Sequence, residues 1–477
     1  MAAHLQSDER SLARLGYRQE LNRSLGWPDL IIYGLIFMVV IAPFGIFGGV
    51  FQASGGMVAL AYAIGVVVMM LTASSYAVMA RAYPTAGSVY TYAGRAIHPS
   101  VGFLTGWAIL LDYVLIPALL SVIAAVSMTS FLPAVPAWAW IIVFVFVNAV
   151  LNVYGIKTTK KLNRIFLVGS LLVLAIYLVV AVAALVSGKG RGFSWDPFFN
   201  ADTFSVGVAL AGVSVAALSF LGFDALAMLT EETKGGARQV GRAMYTALGL
   251  TGALFIAQTF VASLLVQDPA TLVADGDPGG TAFYDTARVA GGEWLATLSA
   301  VATALAWGIA NNMVAQTTTS RLLYAMARDR QLPAVLGRVS AKRSVPVNAV
   351  LLTAAVSLCL GLYMAARDDG ITLLASLVNF GALLAFTVLA IARIFWWARN
   401  GRPGNPAAHV GVPVLTIAVL LAIIVNTNAL AQNVGLTWLG LGTVILIVLH
   451  ATGRRPRLSG LDTRTPTDDL TEAGHRG

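Results

Sequence analysis

Residues 219–233 read Ser-Phe-Leu-Gly-Phe-Asp-Ala-Leu-Ala-Met-Leu-Thr-Glu-Glu-Thr. They close a run of apolar and small residues that starts at Phe204 and is long enough to enter a bilayer as a helix. Ser219, Gly222 and Asp224 fall near its middle. Gly222 weakens a helix and lets another group approach the backbone. Asp224 is costly in hydrocarbon unless it faces protein or water. A span carrying both is a poor anchor, but it suits a helix that breaks to line a cavity. An earlier run, Ala42-Pro43-Phe44-Gly45-Ile46-Phe47-Gly48, places a proline and two glycines in a similar apolar setting. Two interrupted spans in corresponding halves of a chain point to a solute pathway.

The composition fits. The 477 residues are 58% hydrophobic and 11% charged, whereas soluble domains carry about 25% charged residues. Apolar runs of roughly 20 residues fit helices; barrel strands would alternate over segments of about 10. The sequence therefore predicts an all-α polytopic membrane protein with about twelve spans: 29–51, 56–80, 100–130, 136–155, 163–187, 204–230, 241–265, 293–322, 346–366, 371–397, 411–430 and 433–451. The third and eighth look long, which predicts tilt. With residues 1–28 inside, 27 of the 31 Lys and Arg fall on the cytoplasmic side. Only Lys189, Arg191, Arg288 and Arg367 are left outside, and one span more or fewer early in the chain destroys that bias.

The net charge of +9 is divided among short loops, so it reads as a topology signal and not as a nucleic-acid surface. Lys157, Lys160, Lys161 and Arg164 are expected beside anionic headgroups of the lipid bilayer. Arg10, Arg14, Arg18 and Arg23 mark 1–28 as a cytoplasmic lead-in, and 452–477 reads as a disordered cytoplasmic tail. The segment 267–289 is expected to be an outside surface loop, and Cys359 a packing residue. No phosphate loop is present, which argues against ATP as energy source. His4, His98, His409, His450 and His475 lack metal-ligand spacing, so no metal site is expected, and no nucleophile–base pair suggests an enzyme.

Several polar residues can carry chemistry. Pro43 obstructs a helix and Gly45 and Gly48 ease an unwound turn, so a half-helix restarting near Gly45 would offer N–H groups to a carboxylate; a simple kink is the plainer reading. Asp224 fits a proton carrier, a partner for a substrate ammonium, or a structural acid. Asp112, in Gly106-Trp107-Ala108-Ile109-Leu110-Leu111-Asp112-Tyr113, fits an amine partner, a proton site or a helix brace. Glu231 and Glu232 beside Lys234 suggest a solvated or gating ion pair. Thr317, Thr318, Thr319 and Ser320 offer sodium ligands, or hydroxyls bonded back to their own helix. Asn379-Phe380-Gly381 in the tenth span would close over the site.

These residues resemble the amino acid–polyamine–organocation permeases. The likeness rests on the glycine-rich first span, on Tyr83-Pro84-Thr85-Ala86-Gly87-Ser88-Val89-Tyr90-Thr91-Tyr92, on Ser219 to Lys234, and on Arg321-Leu322-Leu323-Tyr324-Ala325-Met326-Ala327-Arg328-Asp329. It implies a leucine-transporter-like fold with interrupted helices 1 and 6. Inverted repeats would cover 29–187 and 204–397, with spans 11 and 12 (411–451) peripheral. Substrate would lie between spans 1 and 6, with spans 3, 8 and 10 completing the pocket. The stretches 102–117 and 376–383 look most like putrescine importers, but Gly45 stands where those importers carry an acid, which turns the expectation toward amino acids. Ser170 stands where some members have a sodium-replacing lysine, and Gly235-Gly236 replaces the usual Asn-Pro.

The resulting expectation is a secondary transporter in the cytoplasmic membrane. It imports an amino acid or related amine by alternating access, coupled to H⁺ or Na⁺, without further cofactor. Pro43, Phe44, Gly45 and Ile46 would hold the carboxylate, and backbone at Ser219, Leu221 and Gly222 the ammonium, with Asp112, Asp224 and Asn379 nearby. Phe44, Phe220 and Phe223 would gate. The alternatives are a polyamine importer and a ligand-binding membrane sensor that does not transport. Oligomeric state is left open.

Overall fold

A computed structural model describes residues 23, 25–84, 89–154, 160–230, 232–328, 332–340 and 345–452. The N-terminal lead-in up to 22, Thr85 to Ser88, Lys157, Glu231, Asp329 and the tail from 453 lie outside the described residues, as do the side chains of Lys160 and Lys161.

The described chain is helical, with a lone backbone bridge, Leu25 to Thr233, in place of any sheet. Among the described residues, ten helices are long and apolar enough to cross a membrane. The split pair Trp27–Phe37 and Pro43–Ala53 and the shorter helix Ala137–Val153 bring the passes to the expected twelve. Span 3 runs Pro99–Phe131, 33 residues, and span 8 continues from Glu293 to Arg328 through a π-helical turn at Ala306–Asn311. Span 7 starts at Gly236, earlier than expected, because polar residues of its first turns still hydrogen-bond as helix. Spans 3 and 10 form the interior; spans 5, 11 and 12 show most of their surface outward.

Both interrupted spans are broken. Span 1 stops at Phe37 and restarts at Pro43, so the unwound stretch is Met38–Ala42, a turn earlier than the Pro43–Gly45 break read from the sequence. Proline fits the first position of a helix, where no N–H is required, so Pro43 starts the second half. Val39 within the break has φ of 51°, a costly conformation for a β-branched residue. Span 6 runs Val206–Ala216, tightens into a 3₁₀ turn at Ala217–Phe220, turns at Leu221–Gly222 and resumes as Phe223–Leu229. Gly222 has φ of 106°, and a Cβ there would come 2.9 Å from the Phe37 carbonyl oxygen. Only glycine lets the two breaks approach so closely.

Two sequence expectations are corrected. The segment 267–289 is not a plain surface loop: it forms helices Pro269–Asp275 and Ala282–Gly291, and Phe283, Tyr284 and Ala287 are buried. The apolar spacing of Ala282, Phe283, Ala287 and Ala290 gives the second helix one inward face. Phe283 stacks on Phe44 at 3.9 Å between ring centroids and leans on Tyr177 at 4.6 Å. Cys359 is exposed on span 9 and does not pack inside; an apolar span leaves one face to lipid, and Cys359 is on it.

Truncating Phe283 to Ala should cost about 3–5 kcal/mol through the cavity left against Phe44, Phe47 and Tyr177. A lowered thermal unfolding midpoint of the purified protein would register it; an unchanged midpoint would show that this segment is not packed in the bundle.

Candidate functional site

A cavity of about 650 Å³, mouth included, opens where the two breaks meet. Phe37, Met38 and Ala42 line it from span 1, Leu218, Leu221, Gly222, Asp224 and Ala225 from span 6, Asp112 and Tyr113 from span 3, and Trp307, Asn311 and Thr318 from span 8. Asp112 and Asp224 thus face one space, 6% and 8% exposed, and no basic side chain lines it.

The two acids are held differently. Asp224 sits just past the turn of span 6. One carboxylate oxygen accepts the Gly222 N–H at 3.2 Å, and the other accepts the Tyr113 hydroxyl at 3.3 Å. Asp224 therefore caps its own half-helix and ties it to span 3. Asp112 has a buried Oδ1 with no partner. The Nε1 of Trp307 in the same lining is also buried without a partner. One orphan acceptor and one orphan donor face the same cavity, and unmet groups of this kind are what a bound solute satisfies.

The chain answers most other polar groups at the breaks. Gln258 of span 7 donates to the Val40 carbonyl at 3.0 Å. Phe44 and Gly45 donate to Ile41 and Ala42 carbonyls at 3.0 and 3.2 Å, which leaves their N–H groups engaged. Asn148 of span 4 donates to the Gly308 carbonyl inside the π-helical turn at 2.7 Å. Asn379 donates to the Ser214 carbonyl at 2.5 Å, so it braces span 10 against span 6 beside the cavity and not on its wall.

The structure distributes the remaining sequence candidates as follows. Leu221, Gly222, Asp224, Asp112 and Thr318 line the cavity. Gly45 and Ile46 line a second cavity of about 570 Å³, with Val122, Val126, Val215 and Asp277. Along spans 3 and 6 the linings follow one another, so the two cavities stand in series. Pro43 is buried, and Phe44 points to Phe283 and Tyr177. The Ser219 hydroxyl bonds Tyr62 at 2.9 Å; Phe220 packs on Tyr62 and Phe255, and Phe223 on Tyr76 and Phe386. The proposed aromatic gate is therefore helix packing, and Phe37, Tyr113 and Trp307 supply the cavity's aromatic surface. Thr317, Thr318, Thr319 and Ser320 all donate to backbone carbonyls three or four residues earlier, and Thr317 also to Asn152 Oδ1. Ser170 lines a small cleft with Val39, Val40 and Ala310.

Tyr113 was legible beside Asp112. Trp307 was not, because the π-helical turn shifts the helical period on which its inward position depends.

Both ends of this pathway are covered by backbone. At one end Leu25 donates to the Glu232 carbonyl at 3.0 Å and accepts from Lys234 N–H at 2.9 Å, so Glu232 and Lys234 act through their main chain. At the other, Asp277 lies against Gly48, where any side chain would collide with it. Its carboxylate accepts the N–H groups of Thr281 and Ala282 at 3.0 and 3.1 Å.

A helical bundle with two broken spans facing a polar cavity is the architecture of a membrane permease. The family model for amino acid permeases matches residues 30–450. The chain belongs to this family of amino acid–polyamine–organocation permeases. It is 29% identical to the low-affinity putrescine importer PlaP of Escherichia coli over 446 residues, 92% of this chain and 96% of that one. It is 26% identical to the branched-chain amino acid permease BcaP of Bacillus subtilis, covering 91% and 94%. It is 24% identical to a methylthioribose transporter of the same organism, covering 90% and 93%.

Two outcomes follow from this geometry. Gly222→Ala should weaken ligand binding and lower the thermal midpoint, since the left-handed backbone and the Phe37 carbonyl both resist a methyl group at about 1–3 kcal/mol; retained affinity would show that the breaks need not approach so closely. Burial raises the Asp277 carboxyl above its ordinary 3.8 despite its two N–H bonds. The packed segment then binds protons more readily than the released one, so its stability is greatest below that ordinary value and falls as pH rises through the raised one. Protection factors of amides 279–283 should fall across that window, and Asp277→Asn should abolish the dependence.

Proposed function

We propose that the protein is a secondary importer of a small amine-bearing solute, held by its ammonium group at Asp112. The observation that carries this reading is the unpartnered Asp112 oxygen in a buried cavity shared with Asp224 and lined by no basic side chain. A carboxylate in such a place is stabilised by an incoming cation more than by anything the chain supplies. Two acids without a counter-charge favour a solute of net positive charge, such as a short diamine, whose second ammonium would approach Asp224. The amino-acid reading keeps its own support in the free Trp307 donor, which suits a carboxylate oxygen, and in Gly45, which leaves the start of the second half of span 1 without an acid.

On this reading the protein carries solute and performs no chemistry on it. It works in the cytoplasmic membrane with both termini inside and the 267–289 segment outside, supported by the 27 of 31 Lys and Arg on one side. Spans 1–5 and 6–10 move against each other as inverted repeats, with spans 11 and 12 at the periphery. Release of the Leu25–Thr233 bridge opens one end of the pathway, and withdrawal of Asp277 from Gly48 the other. Coupling to protons is the reading favoured here because Asp224, a titratable group, joins the moving turn to span 3.

Radiolabelled uptake into proteoliposomes, with putrescine, monoamines and amino acids as competitors, tests the assignment. Asp112→Asn should raise the half-saturating concentration about tenfold or more for whichever amine is transported; unchanged affinity would sink the Asp112 assignment. Binding without accumulation would favour a sensor. Asp224→Asn should keep measurable binding and exchange but lose the pH dependence of net uptake, and wild-type pH dependence in that variant would make Asp224 structural.

A further inference from the structure

Arg393 lies near the end of span 10, at the same end of the bundle as Leu25 and Thr233, yet it is only 4% exposed. Its Nη1 donates to Ser74 Oγ at 2.8 Å and its Nη2 to the Ala408 carbonyl at 2.6 Å. Both acceptors are neutral, and its Nε is buried with no partner. Among the described residues no carboxylate pairs with it; its charged neighbour is another cation, Arg81, with Tyr245 also in reach. Arg81 spends its Nε on its own helix, at the Ala77 carbonyl. His409 faces both arginines, and its Nδ1 is likewise buried and unpartnered. Tyr245 also lines a groove of about 720 Å³ with Trp27, Gln239, Arg242 and Thr246.

An internal arginine usually meets a carboxylate. Here two guanidinium groups and an imidazole lie near one another, with a free donor on Arg393 and, among the described residues, no carboxylate paired with them. A guanidinium edge with a free Nε suits a phosphate oxygen, because its donors lie in one plane. The level in the bundle decides the source. Arg81 ends span 2, Tyr245 lies in the first turns of span 7, Arg393 lies near the end of span 10 and His409 at the start of span 11. Trp27 and Trp396 stand at the same ends, where aromatic side chains mark the headgroup layer. Anionic headgroups concentrate at that depth, and basic pockets between spans take them.

We propose that Arg393, Arg81 and His409 form a binding site for the phosphate of an anionic phospholipid headgroup, placed between the ends of spans 2, 7, 10 and 11, with Arg242 on the approach. The site is separate from the solute cavity, and its test does not depend on the transported solute.

The full-length protein in a neutral detergent is titrated with dioctanoyl phosphatidylglycerol, dioctanoyl phosphatidylcholine or inorganic phosphate while its thermal unfolding midpoint is followed. Phosphatidylglycerol should raise the midpoint saturably and phosphatidylcholine should not. Arg393→Lys keeps the charge but loses the planar fork, and should raise the half-saturating concentration about tenfold. Arg81→Gln, at an exposed position, should move it the same way without risk to folding. Equal stabilisation by phosphatidylcholine, or an unshifted half-saturation in both variants, overturns the site. Inorganic phosphate acting as well as phosphatidylglycerol at equal concentration overturns the lipid assignment in favour of a soluble anion.

Discussion

The middle of a bilayer supplies no water to a broken helix, and the rest of this structure follows from that constraint. Each interruption frees N–H and C=O groups that cost several kcal/mol if left alone in hydrocarbon. The chain therefore aims amides and hydroxyls from other spans at the breaks. Gln258 reaches the Val40 carbonyl, Asn379 the Ser214 carbonyl and Asn148 the Gly308 carbonyl, while Asp224 takes the Gly222 N–H. These contacts fix which spans are neighbours as firmly as apolar packing does, since lipid competes with apolar packing and not with a buried hydrogen bond.

With the breaks so satisfied, the few groups left over are informative. Buried side-chain atoms without a partner occur elsewhere in the bundle too, on Asn148, Gln258 and Asn379 among others, but Asp112 and Trp307 are the two residues carrying one that line this cavity. The adjacent Tyr113 hydroxyl is committed to Asp224, so span 3 offers one occupied and one vacant polar group from consecutive residues. In a helix, consecutive side chains point about 100° apart, which places Tyr113 toward the span-6 turn while the neighbouring Asp112 keeps a buried oxygen without a partner.

The number of spans, the interruption of the first and sixth, and the two intramembrane acids were legible in the sequence because each breaks a strong pattern: apolar runs of bilayer length, a glycine or proline inside them, a charge where none is expected. The break in span 1 was misplaced by a turn because Pro43 reads equally as a disruptor and as a helix start; its missing N–H suits the latter. The aromatics were misjudged for a related reason. Phe44, Phe220 and Phe223 flank the breaks in sequence, but an unwound turn rotates its neighbours, and all three turn into helix packing. The buried face of helix Ala282–Gly291 was hidden by the polar turn residues before it, though its apolar spacing was present in the sequence.

The two cavities in series give the 267–289 segment and the breaks a common logic. A solute in the upper cavity meets Gly45, Gly49 and Asp277, and one in the lower meets Asp112 and Asp224; Leu120 and Leu218 line the lower next to Val122 and Val215 of the upper. The layer between them is apolar, so a charged solute crosses it only as the half-helices shift and a new counter-charge comes within reach. On the proposed import of a cation, carboxylates at both levels, with the Arg367 guanidinium engaged by Asp369 at the upper rim, would form a ladder that lowers the barrier for the solute. Selectivity among amines of like charge would then fall to the shape of the lower cavity between Phe37, Tyr113 and Trp307.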